Sequence, residues 1–163
     1  MEKKPRAAQK AELDQLDRKI LTLYQADTRQ SAESIGAEVG LSTAAVHRRL
    51  KRLRDEGVIT AEVAVLDPEA LGLPLTCVVT VDLDRETLAD IEGFAARMRA
   101  CPSVQQCYYV TGQHDFVLVV AAPDMAAYEE FSQEHLLSDP NVRGFTTCVV
   151  LRRMKTGLAL PIE

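Results

Sequence analysis

The sequence predicts an α+β protein with an all-helical first part and a second part in which strands and helices alternate. Apolar residues recur at helical spacing up to about residue 57, whereas from residue 75 runs with a period of two alternate with helical runs. The charge also differs between the parts. Residues 1–60 carry 12 Lys/Arg and 9 Asp/Glu, a net +3, and residues 61–163 carry 7 and 15, a net −8. This asymmetry indicates that only the first part approaches a polyanion.

The composition is that of a folded protein outside the membrane. Apolar residues make up 47% of the 163 residues and charged residues 26%. No apolar run approaches the roughly 18 residues that a transmembrane helix needs. The first ten residues, MEKKPRAAQK, lack the apolar stretch of a signal peptide. We therefore expect a cytoplasmic protein without a membrane partner.

Four cysteines are expected to be small buried thiols in a reducing compartment, because none lies in a CxxC pair. They are Cys77, Cys101, Cys107 and Cys148. A metal site would have to combine Cys101 and Cys107 with two histidines, and no recognised ligand spacing is present. Those histidines are His114 and His135. We predict neither a metal nor a cofactor.

Three helices are predicted in the first part. The first runs from about Leu13 to Tyr24, the second opens at the N-cap Ser31, and the third begins at the N-cap Ser42. Gly40 and Gly57 follow the second and third helices, as expected of residues that accept positive φ. The residues expected to face inward are Leu16, Ile20, Leu23, Ile35, Val39, Val46, Leu50 and Leu53.

The spacing between the second and third helices predicts a helix-turn-helix. Two helices that cross steeply need a tiny residue at their contact, a flexible residue at the turn and an apolar residue that seals the second helix. Gly36, Gly40 and Val46 stand at these places, with the Ser42 cap between them. A match at all three positions is much more specific than a match at one.

The outward side of the third helix is basic, with five Lys/Arg between Arg48 and Arg54. A charged run is often only a solvated surface, but here it lies on the helix that enters the major groove in such motifs. Small residues at the start of the helix allow close approach to bases, and the later basic residues can neutralise phosphates. The predicted DNA-binding residues are Ser42, Thr43, Ala44, His47, Arg48, Lys51 and Arg52, with Arg49 and Arg54 flanking them.

A connector separates the two parts. The segment from Val58 to Leu66 is predicted as a strand, either a wing or a clasp between the parts, and a linker rich in Pro and Gly follows it. We therefore predict a helix-turn-helix domain over residues 1–60, a strand and linker over 61–74, and a second domain over 75–163.

The second part predicts a ferredoxin-like domain with the order βαββαβ. The strands are LTCVVTVDL, VQQCYYVT, DFVLVVAA and GFTTCVVL, and the helices run from about Glu86 to Arg99 and from the N-cap Asp124. The helix residues expected to face inward are Leu88, Ile91, Phe94, Met98, Met125, Tyr128, Phe131 and Leu136. Two helices cover one face of such a sheet, so the other face should be polar. It is apolar instead, since Val117 and Val119 alternate with Phe116 and Leu118, and this pattern predicts a homodimer formed through the sheet.

The chain resembles the Lrp/AsnC family, the leucine-responsive regulators, over nearly its full length. The stretches that carry the resemblance are LDQLDRKILTLYQADTRQS, VGLSTAAVHRRLKRLRDEGVI, LDPEALG, VTGQHDFVLVV, PDMAAYEEF and RMKTGLALPI. The resemblance implies an N-terminal winged helix-turn-helix and a C-terminal ferredoxin-like domain of the RAM/ACT-like type. It also implies dimers that assemble into octamers or similar rings, and an amino acid as effector.

The resemblance further implies an effector site near the hairpin after the second strand of the C-terminal domain. The implied residues are Thr111, Gly112, His114, Asp115, Met125 and Cys148. Gly112 permits close approach of a backbone, and Asp115 can accept from an ammonium group, although both also suit an ordinary turn. His114 departs from the acidic or small residue usual in the family, which raises the hypothesis of a pH-sensitive effector affinity.

The predicted function is sequence-specific binding of double-stranded DNA by a transcription regulator that responds to a small effector. The alternative is an architectural protein that binds DNA with little effector response. An enzyme is not expected, because the chain shows no paired catalytic carboxylates, no nucleophile with a base and no phosphate loop.

Overall fold

The computed structural model describes residues 12–162 and divides the chain into two compact units. Of the described residues, the first unit contains 12–64 together with the segment that begins at Thr156, and the second runs from Val65 to Lys155. The segment from Thr156 thus belongs to the first unit, whereas the sequence analysis included it in a second domain over residues 75–163. Its placement follows from two hydrogen bonds: the Leu160 N–H donates to Gln25 Oε1 (3.0 Å), and Gln25 Nε2 donates to the Leu160 carbonyl (2.9 Å).

The first unit contains the three expected helices, α1 (Gln15–Ala26), α2 (Ala32–Val39) and α3 (Thr43–Asp55). Their N-caps are Asp14, Ser31 and Ser42, each of which accepts a backbone N–H of the first turn through its side chain. Gly40 ends α2 with φ 73° and ψ 37°, a left-handed conformation that glycine adopts without a steric penalty. The turn between α2 and α3 is therefore the one that the sequence pattern predicts.

The core of the first unit lies between these helices. Ile20, Ile35 and Val46, one from each helix, are fully buried. Gly36 permits the close crossing of α2 and α3, because a Cβ atom at this position would lie 2.5 Å from the Leu41 carbonyl oxygen. The helix-turn-helix interpretation of Gly36, Gly40 and Val46 is confirmed.

The strand predicted from Val58 to Leu66 is wrong. Between α3 and residue 75 the described chain forms only turns and irregular structure. A β-strand needs a neighbouring strand for its backbone hydrogen bonds, and no strand among residues 12–162 pairs with this segment. Val63 and Val65 consequently remain 69% and 92% exposed.

The second unit is a four-stranded antiparallel sheet with helices on one face. The elements are β1 (Leu75–Leu83), α4 (Leu88–Ala100), β2 (Val104–Tyr109), β3 (Phe116–Ala122), α5 (Met125–Ser132), a π-helical turn (Gln133–Leu137) and β4 (Val142–Val149). The strand order is β2-β3-β1-β4, so the two central strands are β3 and β1, and β1 pairs with both β3 and β4. This is the predicted ferredoxin-like βαββαβ order, with antiparallel strands throughout.

The core of the second unit lies between the sheet and the helices. β1 alternates buried and half-buried residues, and its buried side faces Phe94, Met98 and Phe131 from the helices. Two predicted inward residues are exposed instead: Leu88 is 76% and Met125 is 52% exposed. Each is the first residue of its helix, and the buried residues begin only at Phe94 in α4 and at Tyr128 in α5.

The other face of the sheet is apolar and lies outside the core. Val78, Val117 and Val119 occupy its centre and are only half-buried. Cys148, opposite Val78 on the edge strand β4, is exposed, so the expectation that it is buried is wrong. None of the helices described in residues 12–162 is long and apolar enough to span a bilayer.

Candidate DNA-binding face and ligand site

The predicted DNA-binding residues lie at the start of α3 and along one side of it. All seven, from Ser42 to Arg52, belong to the exposed surface. The Ser42 hydroxyl accepts the Ala45 N–H (3.3 Å), which fixes the start of the helix. Because residues three and four apart share a helix side, Ala44, His47 and Lys51 form a continuous strip with Arg48. The structure therefore brings the predicted residues together on a face that DNA can reach.

Two arginines of α3 bind acidic residues of α1. Arg49 Nη1 lies 2.7 Å from both Asp14 Oδ2 and Asp17 Oδ1, and Arg52 Nη2 lies 2.5 Å from Asp17 Oδ2. The Asp17 carboxylate is fully buried. Hydrogen bonding to Asp17 and then to Asp14 raises the pKa of Arg49. Arg52, which the sequence predicts as a phosphate contact, thus also binds α1.

A third arginine binds the segment that follows α3. Arg54 Nε donates to Glu62 Oε1 (2.8 Å) and Arg54 Nη2 donates to the Tyr24 hydroxyl, which itself donates to Glu62 (2.8 Å). The guanidinium also lies 5.5 Å from the centre of the Tyr24 ring, within range of a cation–π interaction. Hydrogen bonds from Tyr24 and Arg54 lower the pKa of Glu62.

Sequence patterns did not reveal these partners. Asp14 and Asp17 match the pattern of a capping box, and both capping hydrogen bonds are present. The pattern does not show that the same carboxylates also face α3, since that contact depends on how two helices pack. By contrast, Lys51 binds Asp55 within its own helix (2.6 Å), and both side chains are exposed, so this pair contributes only about 0.3–0.5 kcal/mol.

A depression of about 460 Å³ lies at the hairpin between β2 and β3. Four of the six residues implied for the effector site line it. They are Thr111, Gly112, His114 and Asp115, and the depression is completed by Glu86, Tyr109 and Val110, which the sequence analysis missed. Gly112 has φ 127°, a conformation that L side chains rarely adopt, so the hairpin requires glycine there.

The hairpin is anchored to the end of β1. Asp115 Oδ2 accepts the Leu83 N–H (2.6 Å), and the Asp115 N–H donates to the Val81 carbonyl (3.0 Å). His114 Nδ1 lies 2.9 Å from Asp82 Oδ1. These bonds lie at the register shift between Asp82 and Leu83. Because Asp115 Oδ2 accepts a backbone N–H, this oxygen binds the backbone rather than a ligand.

The other two implied residues lie elsewhere in the unit. Met125 follows the end of β3, whereas the hairpin precedes its start, and the seven residues of β3 separate them by roughly 20 Å. Cys148 pairs with Val78 on the open face of the sheet. One chain therefore does not assemble the six residues into one site, because α5 begins at the opposite end of the sheet from the hairpin.

The residues weighed as a metal site do not come together either. Cys101 Sγ lies 3.5 Å from His135 Nε2, but His114 lies at the hairpin beside Asp82. Among residues 12–162 no group of three or more His, Cys, Asp or Glu side chains is arranged to hold a metal ion.

An exposed recognition helix in one unit and a ligand-sized depression in the other define a DNA-binding regulator with a separate ligand domain. Comparison with known families agrees. The AsnC-type helix-turn-helix domain matches residues 13–54, and the Lrp/AsnC ligand binding domain matches residues 76–160. The chain belongs to the Lrp/AsnC family of transcription regulators.

Individual relatives match nearly the whole chain. An HTH-type transcriptional regulator of Sinorhizobium fredii is 43% identical over 93% of this chain and 90% of its own length. The leucine-responsive regulatory protein of Rhizobium meliloti is 33% identical over 94% of this chain and 98% of its own. The crystal structure of a Neisseria meningitidis transcriptional regulator in complex with L-methionine superposes with a TM-score of 0.86 at 34% identity, covering 92% and 97% of the two chains.

Proposed function

We propose that this regulator recognises operator sequences through the exposed side of α3 and that an L-amino acid bound at the β2–β3 hairpin controls this recognition. The protein acts on chromosomal DNA in the cytoplasm, and it acts by binding rather than by catalysis. The observation that carries the proposal is the hairpin depression, whose groups suit a zwitterion. The similar Neisseria meningitidis regulator, whose structure contains L-methionine, supports an amino acid as the effector.

The depression offers partners for both charges of an amino acid. The Glu86 and Asp115 carboxylates can accept from an α-ammonium group, and the hairpin N–H groups can donate to an α-carboxylate. A volume of about 460 Å³ falls in the range typical of small-molecule sites. The Tyr109 ring and the Val110 side chain supply apolar surface for the remainder of the effector.

We further propose that the complete effector site forms only in an assembly. The apolar face around Val78, Val117 and Val119 suits self-association of two copies through their sheets, and such a dimer presents two α3 helices to a palindromic operator. Met125 and Cys148 would then join a site from a neighbouring subunit in an octamer or similar ring. The exposure of Met125, at 52%, is consistent with a covering partner.

Isothermal titration calorimetry with each of the common L-amino acids tests the effector proposal. We expect one amino acid, or a small related group, to bind the wild-type protein and to change its operator affinity by about 5- to 150-fold. Gly112→Val should abolish this binding, because it distorts the hairpin. Gly72→Val is the control: Gly72 also has a positive φ, 73°, but lies outside the depression, so its variant should bind normally.

The same titration distinguishes the architectural alternative. If no amino acid binds and the DNA affinity is unaffected by all of them, the effector role is wrong and an architectural role is favoured. If Gly72→Val and Gly112→Val lose binding equally, the hairpin is not the site.

A further inference from the structure

The basic residues of α3 fall into two sets by their direction. Successive residues of an α-helix are rotated by about 100°, so Arg52 and Arg49 lie about 40° and 100° to one side of Arg48. Lys51 and His47 lie about 60° and 100° to its other side. The first pair reaches the carboxylates of α1, and the second remains on the exposed strip with Arg48. The boundary between the sets therefore passes between Arg48 and Arg52.

Asp17 is the residue that both arginines of the first set share. Its Oδ1 accepts from Arg49 Nη1 (2.7 Å), and its Oδ2 accepts from Arg52 Nη2 (2.5 Å) and from the Asp14 N–H (3.2 Å). The carboxylate is completely shielded from water, while the two arginine side chains are 25% and 42% exposed. A buried carboxylate that is paired in this way tolerates little movement of its partners. Asp17 thus restrains α3 at two points one helical turn apart.

We propose that Asp17 is a positioning residue for base recognition: it fixes the rotation of α3 about its own axis and withholds Arg49 and Arg52 from the DNA phosphates. This inference rests on the proposed operator recognition by α3. Base contacts from the first turns of a recognition helix depend on its orientation in the major groove. Phosphate contacts contribute affinity without sequence information. Withholding two arginines therefore limits non-specific affinity while orienting His47 and Arg48 toward bases.

The test compares wild-type protein with Asp17→Asn on two DNA duplexes. The first is the duplex that the wild-type protein enriches most strongly from a random-sequence pool, and the second is a scrambled duplex of the same composition. Affinity for each is measured over a series of salt concentrations, and the folded fraction is checked by circular dichroism. Asparagine has the shape of aspartate, so the variant removes the charge with little change in packing.

We expect Asp17→Asn to lower affinity for the selected duplex by roughly tenfold, because the helix loses its fixed orientation. Affinity for the scrambled duplex should stay equal or rise. The salt dependence should become steeper by about one phosphate contact as an arginine is released. A purely structural role would instead lower both affinities by one common factor and leave the salt dependence unchanged, and that result would overturn the proposal.

Arg52 variants test the proposal even if Asp17→Asn does not fold. Arg52→Gln should reduce the ratio of selected to scrambled affinity and leave the salt dependence unchanged, since Arg52 contacts Asp17 rather than phosphate. If Arg52 contacts phosphate, the salt dependence will fall by about one contact while the ratio stays constant, which contradicts the proposal. Lys51→Gln, on the exposed strip, is the control expected to show that second pattern.

These outcomes distinguish a failure of the proposed operator recognition from a failure of the proposed role of Asp17. A wild-type protein that enriches no sequence from the pool overturns the proposed operator recognition itself. A wild-type protein that enriches one sequence, with an affinity ratio that neither Asp17→Asn nor Arg52→Gln changes, overturns only the role of Asp17.

Discussion

The two units differ in how far a single chain completes them. In the helix-turn-helix unit, two carboxylates have all their named partners within the unit. Asp17 is fully buried and binds two arginines, and Glu62 binds both Tyr24 and Arg54. The ligand-binding unit leaves one sheet face apolar and separates its hairpin from Met125 by the length of a strand. The contacts that orient α3 can therefore be described within one chain, whereas the proposed effector site would need residues from several copies.

Gly36→Val should have the largest effect and should be confined to the first unit. A Cβ at this position would lie 2.5 Å from the Leu41 carbonyl oxygen, so α2 and α3 would have to separate. We expect a loss of about 3 kcal/mol in unfolding free energy and a loss of DNA binding. Thermal unfolding followed by circular dichroism measures the first, and gel-shift titration measures the second.

Gly93→Ala provides the control for that substitution. Gly93 also lies in a helix, but the nearest atom to an added Cβ is Arg97 Nη1 at 3.8 Å. The alanine should raise the unfolding free energy by about 0.5–1 kcal/mol, because glycine weakens a helix interior. If both variants behave alike, close packing at Gly36 is not what holds the helix-turn-helix together.

Val119→Lys should weaken the proposed dimer that forms through the sheet of the second unit. It places a charge at the centre of the apolar sheet face, and we expect the dissociation constant of the dimer to rise by at least about 100-fold, or about 2.7 kcal/mol. Sedimentation equilibrium measures the change. Leu137→Lys, at a residue 66% exposed in the π-helical turn, should leave the oligomeric state as it is. Equal effects of the two variants would argue against assembly through the sheet.

Tyr24→Phe tests the internal bonding of the first unit with a smaller change. It removes the hydroxyl that donates to Glu62 and accepts from Arg54, at an expected cost of about 1 kcal/mol in unfolding free energy. Urea denaturation measures it. Tyr108→Phe, which loses only an exposed hydrogen bond to Gln106, should cost almost nothing. A Tyr24→Phe variant as stable as wild type would show that the Tyr24–Glu62–Arg54 contact is not stabilising.

The smallest expected effect is a dependence of stability on pH through Glu62. Its pKa is lowered from the usual 4.5 by hydrogen bonds from Tyr24 and Arg54. Its stabilising contribution is therefore present above pH 4.5 and disappears as the pH falls through the lower pKa of the folded state. Wild type should have a higher melting temperature than Glu62→Gln at neutral pH, and the difference should shrink as the pH falls below 4.5 and through the lower pKa of the folded state. A difference that grows on acidification would contradict this sign.

Local sequence signals predicted most of the fold. The caps Ser31, Ser42 and Asp124 and the left-handed Gly40 have their causes within a few residues, and all occur as expected. The Val58–Leu66 segment has the alternating pattern of a strand, but none of the strands that the structure describes pairs with it. The contact between Arg52 and Asp17, 35 positions away, could not be predicted either, because it depends on how α1 and α3 pack.

The hairpin shows the same division between local and distant causes. The family resemblance implied Gly112 and Asp115, and a turn glycine and an acidic residue, both visible in the sequence, are compatible with that role. Glu86 could not be, since it joins the depression only when the end of β1 packs beside the hairpin. Helix periodicity likewise placed Met125 inside, although the first residue of a helix often lies beyond the core.

Mapping chromosomal binding sites with and without each candidate amino acid tests most directly the claim that the ligand-binding unit controls DNA recognition by α3. We predict discrete palindromic sites whose occupancy changes when the correct amino acid is present, because the affinity of the protein for these sites changes by about 5- to 150-fold. Gly112→Val should occupy the same sites without responding. Uniform coverage of the chromosome, or discrete sites that no amino acid affects, would contradict the claim.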